Sequence, residues 1–258
     1  MNDLAAIGVA CAGQIDAASG TVVHAANLGW RRVPLAATLA AAFRVPVSIE
    51  NDVHAAAWGE FRFGAHREVG SLLAVFVGTG VGSGAVLDGA LWRGAGNAAG
   101  ELGHTQVVPE GLSCACGGHG CLEQYVSGAG FRRRFRDAAA AGVKTRLGEL
   151  TEDDPDALDA TMVAAAANAG DEFARGLWAD ATRFLTLAVA NYVTLLNPRV
   201  LILGGGLFEA LPELFDGVAG GILMGTTELA RRSLAIEHAR LGDWAGVLGA
   251  AALAAPPR

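Results

Sequence analysis

Cys114-Ala-Cys116-Gly-Gly-His119-Gly-Cys121-Leu-Glu123 is the stretch whose reading decides the rest. It holds three of the four cysteines of the chain, and Cys11 sits apart in an apolar run. This crowding is metal-ligand spacing and not a disulfide framework. Ten residues upstream lies His104, and three thiolates with one imidazole complete a tetrahedral zinc shell. A closed four-ligand site is structural, pinning a Gly-rich loop that has few apolar side chains to hold it. His119 competes as the nitrogen ligand. It stands between two glycines in a place that reads as exposed, so His104 is preferred, with a satisfied core histidine as its plain alternative. Free buried thiols are the corresponding alternative for the cysteines.

Outward from this loop, Glu101 and Glu123 bracket it, and Glu101-Leu-Gly-His104 sets a carboxylate and an imidazole three residues apart. Carboxylates, Asn and His around one pocket suit a polyhydroxylated ligand, because every hydroxyl both donates and accepts. Taken singly, either glutamate is more often a solvated surface charge. Further upstream the runs Ala6 to Cys11, Val45 to Glu50, Leu72 to Val77 and Ser83 to Leu87 read as strands, as does Val200 to Leu203 downstream. They alternate with Ala-rich helical stretches, Pro34 to Phe43 and Val53 to Phe61 among them, so the class is α/β. Ala181 to Leu196 reads as a buried helix, and Phe131 to Asp171 as exposed helices with polar turns. Phe76 to Trp92 reads as a strand, a Gly-Thr-Gly turn and a strand, a hairpin crossing from one lobe to the next.

Glu50-Asn51-Asp52 falls at the end of a predicted strand, where α/β folds place ligands. A carboxylate there can take a proton from a substrate hydroxyl while the neighbouring Asn orients an adjacent one. Equally, Asn51 or Asp52 can simply cap the following helix. Two glycine turns follow strands, Gly78-Thr79-Gly80-Val81-Gly82 and Gly204-Gly205-Gly206. Glycine lets backbone N–H groups approach a phosphate, but a hairpin or strand exit can require it for geometry alone.

Composition narrows the partners. Hydrophobic residues make up 52% of the sequence and charged ones 17%, enough to bury a large core in one or two domains. The net charge of -7, with Lys and Arg scattered, leaves no electrostatic footprint for nucleic acid or an anionic membrane. The apolar stretch Ala181 to Leu196 is interrupted by Arg183 and Asn191 and is too short and polar to span a bilayer. Met-Asn-Asp precedes Leu4 to Ala12 without a basic segment, which argues against a secretory signal and for the cytoplasm.

Read in order, these segments resemble the ROK family of repressors, open reading frames and kinases. The likeness runs nearly end to end: Asn27-Leu28-Gly29-Trp30 with Val33-Pro34-Leu35, Glu50-Asn51-Asp52, Gly78-Thr79-Gly80, Gly100-Glu101-Leu102-Gly103-His104, Cys114 to Glu123, and Leu203 to Leu207. The resemblance implies an actin-like ATPase (ribonuclease H-like) fold of two lobes, residues 1–70 with 243–258 and residues 71–242. It implies an ATP-dependent kinase, of glucokinase or N-acetylhexosamine kinase type, with Asp52 as catalytic base. Asn51, Glu101, His104 and Glu123 would hold the hexose or N-acetylhexosamine. Zinc would sit on His104, Cys114, Cys116 and Cys121, with the other His104 nitrogen toward sugar. Gly78, Thr79 and Gly80 would face the phosphates of magnesium-ATP, and Gly204, Gly205 and Gly206 the adenosine. A homo-oligomer, dimer or tetramer, is expected.

The departures are also informative. Family kinases carry an Asp-x-Gly-x-Thr phosphate loop on their first hairpin, and nothing here matches it. Met1 falls roughly where the family's fourth strand begins, so an incomplete first lobe with an unpaired sheet edge is expected, along with impaired phosphoryl transfer. Ala12 stands where Pro is usual and His54 where Asn is usual. The alternative readings are a sugar-responsive transcriptional regulator fragment and an inactive sugar-binding protein.

Overall fold

The computed structural model describes residues 4–64 and 68–255; the Met-Asn-Asp opening lies outside the described residues. The chain runs β1 (Ile7–Cys11), β2 (Gln14–Asp16), β3 (Thr21–Ala25), β4 (Trp30–Val33), helix Leu35–Phe43, β5 (Val47–Asn51) and helix Asp52–Phe63. Then come β6 (Leu72–Val77), β7 (Val81–Leu87) and β8 (Ala90–Trp92), a helical region with helices Gly128–Ala140 and Glu172–Leu196, β9 (Val200–Gly204), helix Pro212–Gly225, β10 (Ala235–His238) and helix Trp244–Ala254.

Three sheets result. β1 and β5 pair in parallel from Ile7 opposite Val47 to Cys11 opposite Asn51. Among the described residues β1 has no other partner, as expected. β2, β3 and β4 form a small antiparallel sheet, and the third sheet has the order β10-β9-β6-β7-β8. β6 is parallel to β9 and antiparallel to β7. The β6–β7 hairpin therefore stays within one sheet, and the expected crossing between lobes is corrected: a three-residue turn can only return the chain alongside the strand it leaves.

The central sheet is apolar on both faces because both are covered, which is why Leu72–Val77 reads as an unbroken hydrophobic run. On one face Leu73, Val75, Val77, Leu201 and Leu203 meet the helical region. On the other, Leu72, Ala74, Val86, Val200 and Ile202 meet Ala57 and Phe61 of helix Asp52–Phe63. The segment expected as exposed helices also differs. Phe131, Phe135, Val163 and Ala166 belong to the main core, and the charges around them fill only the outward faces. The long helix Glu172–Leu196 is buried as expected along Leu177, Ala181, Leu185, Val189 and Val193, and ends on Asn197 in the left-handed conformation.

Helices Asp52–Phe63 and Trp244–Ala254 pack at backbone distance through small residues. A Cβ added at Gly249 would run into the Ala55 carbonyl, and one at Gly59 into that of Ala245. Neither backbone can retreat without moving β1 or the central sheet, so Gly249→Ala should lower unfolding stability by about 3 kcal/mol in urea denaturation. A variant as stable as the wild type would show that the two helices are not this close.

Candidate functional site

β5 ends and its helix begins at Asn51-Asp52, which brings the predicted pair to the C-terminal edge of a parallel strand. Asn51 caps the helix: its Oδ1 accepts from the N–H of Val53 at 2.9 Å and of His54 at 3.1 Å. Its Nδ2 donates to the Gly13 carbonyl at 3.1 Å, leaving one amide hydrogen for a ligand. The capping reading thus holds for Asn51 without using up the side chain. Among the described residues Asp52 accepts only from the N–H of Val53, at 3.0 Å, so most of its carboxylate capacity is unspent.

Val53, next in the chain, packs against Gly82, where a Cβ would come within 2.6 Å of its Cγ2. This contact packs the start of the helix that carries Asp52 against β7 just past the β6–β7 turn. In that turn Gly78 donates to the Gly80 carbonyl at 2.9 Å. The carbonyls of Gly78 and Thr79 accept from Gly128 and Ala129 at the start of helix Gly128–Ala140, at 2.9 and 3.1 Å. The N–H groups of Thr79 and Gly80 have no partner among the described residues. Unpaired amides at a glycine turn are ready donors for an anion. Gly205, with φ of +90°, lies against the neighbouring strand, where a Cβ would meet the Val77 carbonyl at 2.5 Å. The two glycine turns therefore stand side by side at the ends of β6 and β9. Just beyond Gly206 opens a cavity of about 340 Å³ lined by Asn168, Trp178, Leu211, Pro212 and Glu213. A second, of about 330 Å³, lies between Glu101 and Tyr192, and Asp52 lines neither.

Glu123 reaches the same turn, its Oε2 accepting from the Val81 N–H at 3.0 Å and standing 2.7 Å from a Cβ built at Gly80. Glu101 is half-exposed, with Oε2 3.9 Å from His104 Nε2. The other His104 nitrogen, Nδ1, lies 3.6 Å from Cys114 Sγ. The imidazole thus has one ring nitrogen toward the cysteine cluster and the other toward Glu101.

The ligand atoms of His104, Cys114, Cys116 and Cys121 all lie within 4.8 Å of one another, and His119 is not among them. Cys116 and Cys121 sulfurs are 3.6 Å apart. Sulfurs around zinc at about 2.3 Å stand roughly 3.8 Å from each other, so the donor set and spacing fit a tetrahedral zinc shell. Burial and then the neighbouring sulfurs push Cys121 up to about 12, so that its thiol is neutral at ordinary pH, and a bound divalent cation would favour the thiolate instead. Arg133 binds the Ser113 carbonyl, Ser113 Oγ at 2.8 Å and Gln124 Oε1 at 2.9 Å, tying the loop to helix Gly128–Ala140.

One constellation escaped the sequence reading. Glu50 is 4% exposed and accepts from Arg93 Nε at 2.6 Å, from the Asn51 N–H at 3.0 Å and from Asn97 Nδ2 at 3.4 Å. His54 Nδ1 lies 3.3 Å from the same carboxylate. Burial raises the Glu50 pKa, but the bonds from His54 and Arg93 outweigh it and hold it down to about 2. The only sequence signal was the spacing of Glu50 and His54, four apart across a strand-to-helix junction. Glu50→Gln should destabilise the chain by about 3 kcal/mol at neutral pH, because it leaves Arg93 and His54 without their anion. With the folded pKa below the ordinary value, Glu50's contribution is full above about 4.5 and is lost as pH falls toward 2. Urea midpoints of wild type and variant should therefore converge in that acid window; a constant gap would contradict the ion pairing.

With a parallel β1–β5 unit and a mixed five-stranded sheet that carries glycine turns at the ends of adjacent strands, the chain has the actin-like ATPase fold of the solved ROK glucokinases it resembles. The chain belongs to the ROK family, whose model matches residues 1–256. It is 34% identical to a glucokinase of Streptomyces coelicolor, covering 99% of this chain and 82% of that protein. It is also 33% identical to a xylose repressor of Caldicellulosiruptor bescii, covering 96% of this chain and 61% of the repressor. Among solved structures, a ROK family glucokinase from Streptomyces griseus in complex with glucose and AMPPNP is 34% identical. It superposes with a TM-score of 0.80 over 98% of this chain and 82% of that one. Among the described residues no helix is long and apolar enough to cross a membrane.

Proposed function

We propose that this protein transfers the γ-phosphoryl group of magnesium-ATP to a hydroxyl of a hexose or N-acetylhexosamine. The observation that carries this reading is the unspent Asp52 carboxylate at a helix start that packs, through Val53, against Gly82, two residues past the unpaired amides of the β6–β7 turn. Similarity to the Streptomyces glucokinases supports it. Asp52 takes the proton of the attacking hydroxyl as its oxygen forms the new bond to phosphorus and the bond to the ADP oxygen breaks. Asn51, Glu101, His104 and Glu123 orient the sugar. The amides of Thr79 and Gly80 meet phosphate oxygens, and the adenosine lies past Gly204 to Gly206, toward the cavity at Trp178 and Pro212. Zinc on His104, Cys114, Cys116 and Cys121 supplies rigidity to the loop and takes no part in the transfer. The lobes, residues 1–70 with 243–258 and 71–242, close over both substrates.

A second reading, a sugar-responsive regulator, is favoured by the likeness to the xylose repressor. Calorimetric titration separates the two. A kinase binds both magnesium-ATP and a sugar from a panel of glucose, N-acetylglucosamine, N-acetylmannosamine, mannose and fructose. A regulator binds the sugar alone, and that result would remove the kinase reading.

A further inference from the structure

His54 is 3% exposed, and both of its ring nitrogens face acceptors: Nδ1 the Glu50 carboxylate at 3.3 Å and Nε2 the Ala99 carbonyl at 2.8 Å. A neutral imidazole has one N–H and one lone pair, so it can satisfy only one of these. Glu50 cannot supply the missing proton, because Arg93 keeps it ionised. Two acceptors around one ring therefore require two N–H groups.

The second acceptor belongs to the segment that leads into Glu101. Three other side chains anchor it, two of them on Glu50. Arg93 binds Glu50 at the head of the segment, Asn97 donates to Glu50 and to the Ile15 carbonyl at 2.9 Å, and Ser83 Oγ donates to the Gly100 carbonyl at 2.7 Å. A Cβ at Gly100 would also lie 3.5 Å from His54 Nε2, so the ring and the backbone are in contact. Asp52 stands two residues before His54 on the same helix.

We propose that His54 is a positioning residue: as an imidazolium shared between the Glu50 carboxylate and the Ala99 carbonyl, it bolts residues 94–101 to the helix that carries Asp52, making sugar affinity depend on pH. The sugar-affinity part rests on the reading of Asp52 and Glu101 as sugar-facing groups. The charged groups facing His54 are Glu50 from β5, which favours the imidazolium, and Arg93 from the segment after β8, which opposes it. Tyr192 of the long helix faces Ser83 and Gly100; burial raises its pKa, so it stays neutral through the range that matters. Burial disfavours a charged His54, yet the bonds to Glu50 and Ala99 prevail and the pKa rises above its ordinary value. The clamp is accordingly whole below the ordinary histidine pKa and is lost as pH rises through the higher folded value.

The test uses the full chain between pH 6 and 9. The His54 imidazole is titrated by heteronuclear NMR, assigned by the resonance lost in His54→Asn. Hydrogen exchange of the amides in residues 94–101, corrected for intrinsic rate, and affinity for glucose and N-acetylglucosamine are followed in parallel. Expected is a single titration above 6.5, with loss of protection and about tenfold weaker sugar binding on its alkaline side, the size of one charge-assisted hydrogen bond. In His54→Asn both quantities should be flat with pH. A His54 that stays neutral throughout, or protection that ignores pH in the wild type, would overturn the proposal; the hydrogen-exchange readout needs no variant to fold. If neither sugar binds at any pH, the sugar-site reading fails, whereas pH-dependent protection lost in His54→Asn still upholds the clamp.

Discussion

Asp52→Asn lowers the rate of sugar phosphorylation by on the order of 10³-fold while leaving sugar affinity and unfolding stability close to those of the wild type. One oxygen of the Asp52 carboxylate accepts from the Val53 N–H, a bond that a carboxamide oxygen makes equally well. The helix cap itself is supplied by Asn51, so the helix start is untouched. What the amide lacks is basicity, and a proton must leave the attacking hydroxyl as the bond to phosphorus forms. Removing the acceptor therefore acts on kcat and spares the sugar dissociation constant. Parallel loss of both would place Asp52 in binding alone, and an unchanged rate would place the base elsewhere.

The other large effect is expected at the cysteine loop. Between Val108 and Cys121 the side chains include little apolar surface beyond Leu112, so the loop cannot hold its shape by burial. Its backbone bonds, such as Cys114 N–H to Gly118 and Gly120 N–H to Leu112, mostly close short turns, and the link to the core runs through Leu112, whose N–H donates to the Tyr125 hydroxyl at 2.8 Å. A structural zinc contributes on the order of 10 kcal/mol to such an element. Cys121→Ser, or exhaustive chelation, should release the loop and with it His104 and Glu123. Sugar affinity should fall by more than about a hundredfold, and bound zinc, expected to be stoichiometric in the wild type, should drop in proportion. Atomic emission on the purified chain together with sugar titration reads both. Full sugar affinity in a metal-free chain would show that the loop folds without zinc.

Much of this was legible in the sequence, and the parts that were not have physical reasons. β6 and β9 are runs of branched and aliphatic residues buried on both faces, β1, β5 and β7 are apolar in part, and all five stand within two residues of where the pattern put them. β2, β3 and β4 left no such trace, being short, buried only at Ile15, Val22 and Ala25, and interrupted by a register shift at Gln14 and Ile15. Helix Gly128–Ala140 was misjudged as exposed because four arginines and an aspartate surround Phe131 and Phe135, and a charged outer face conceals two buried aromatic rings. In the candidate site the preference for His104 over His119 followed from exposure between glycines, and the geometry agrees with it. The Glu50 clamp could not be read, because Arg93 lies 43 residues from Glu50 and no local pattern joins them. Asn51 illustrates the limit of spacing arguments: cap and ligand-facing amide are the same side chain, and only its bonds separate the two uses.

The central claim is phosphoryl transfer to a sugar from the Asp52 junction. Its most direct test is the rate of ADP formation by the purified chain with magnesium-ATP and the sugar panel, set against Asp52→Asn. Sugar-dependent ADP release that yields a phosphorylated sugar and collapses in Asp52→Asn is the predicted result. Sugar binding at normal affinity with no ADP release above the sugar-free rate would contradict it and leave a sugar-sensing protein in its place.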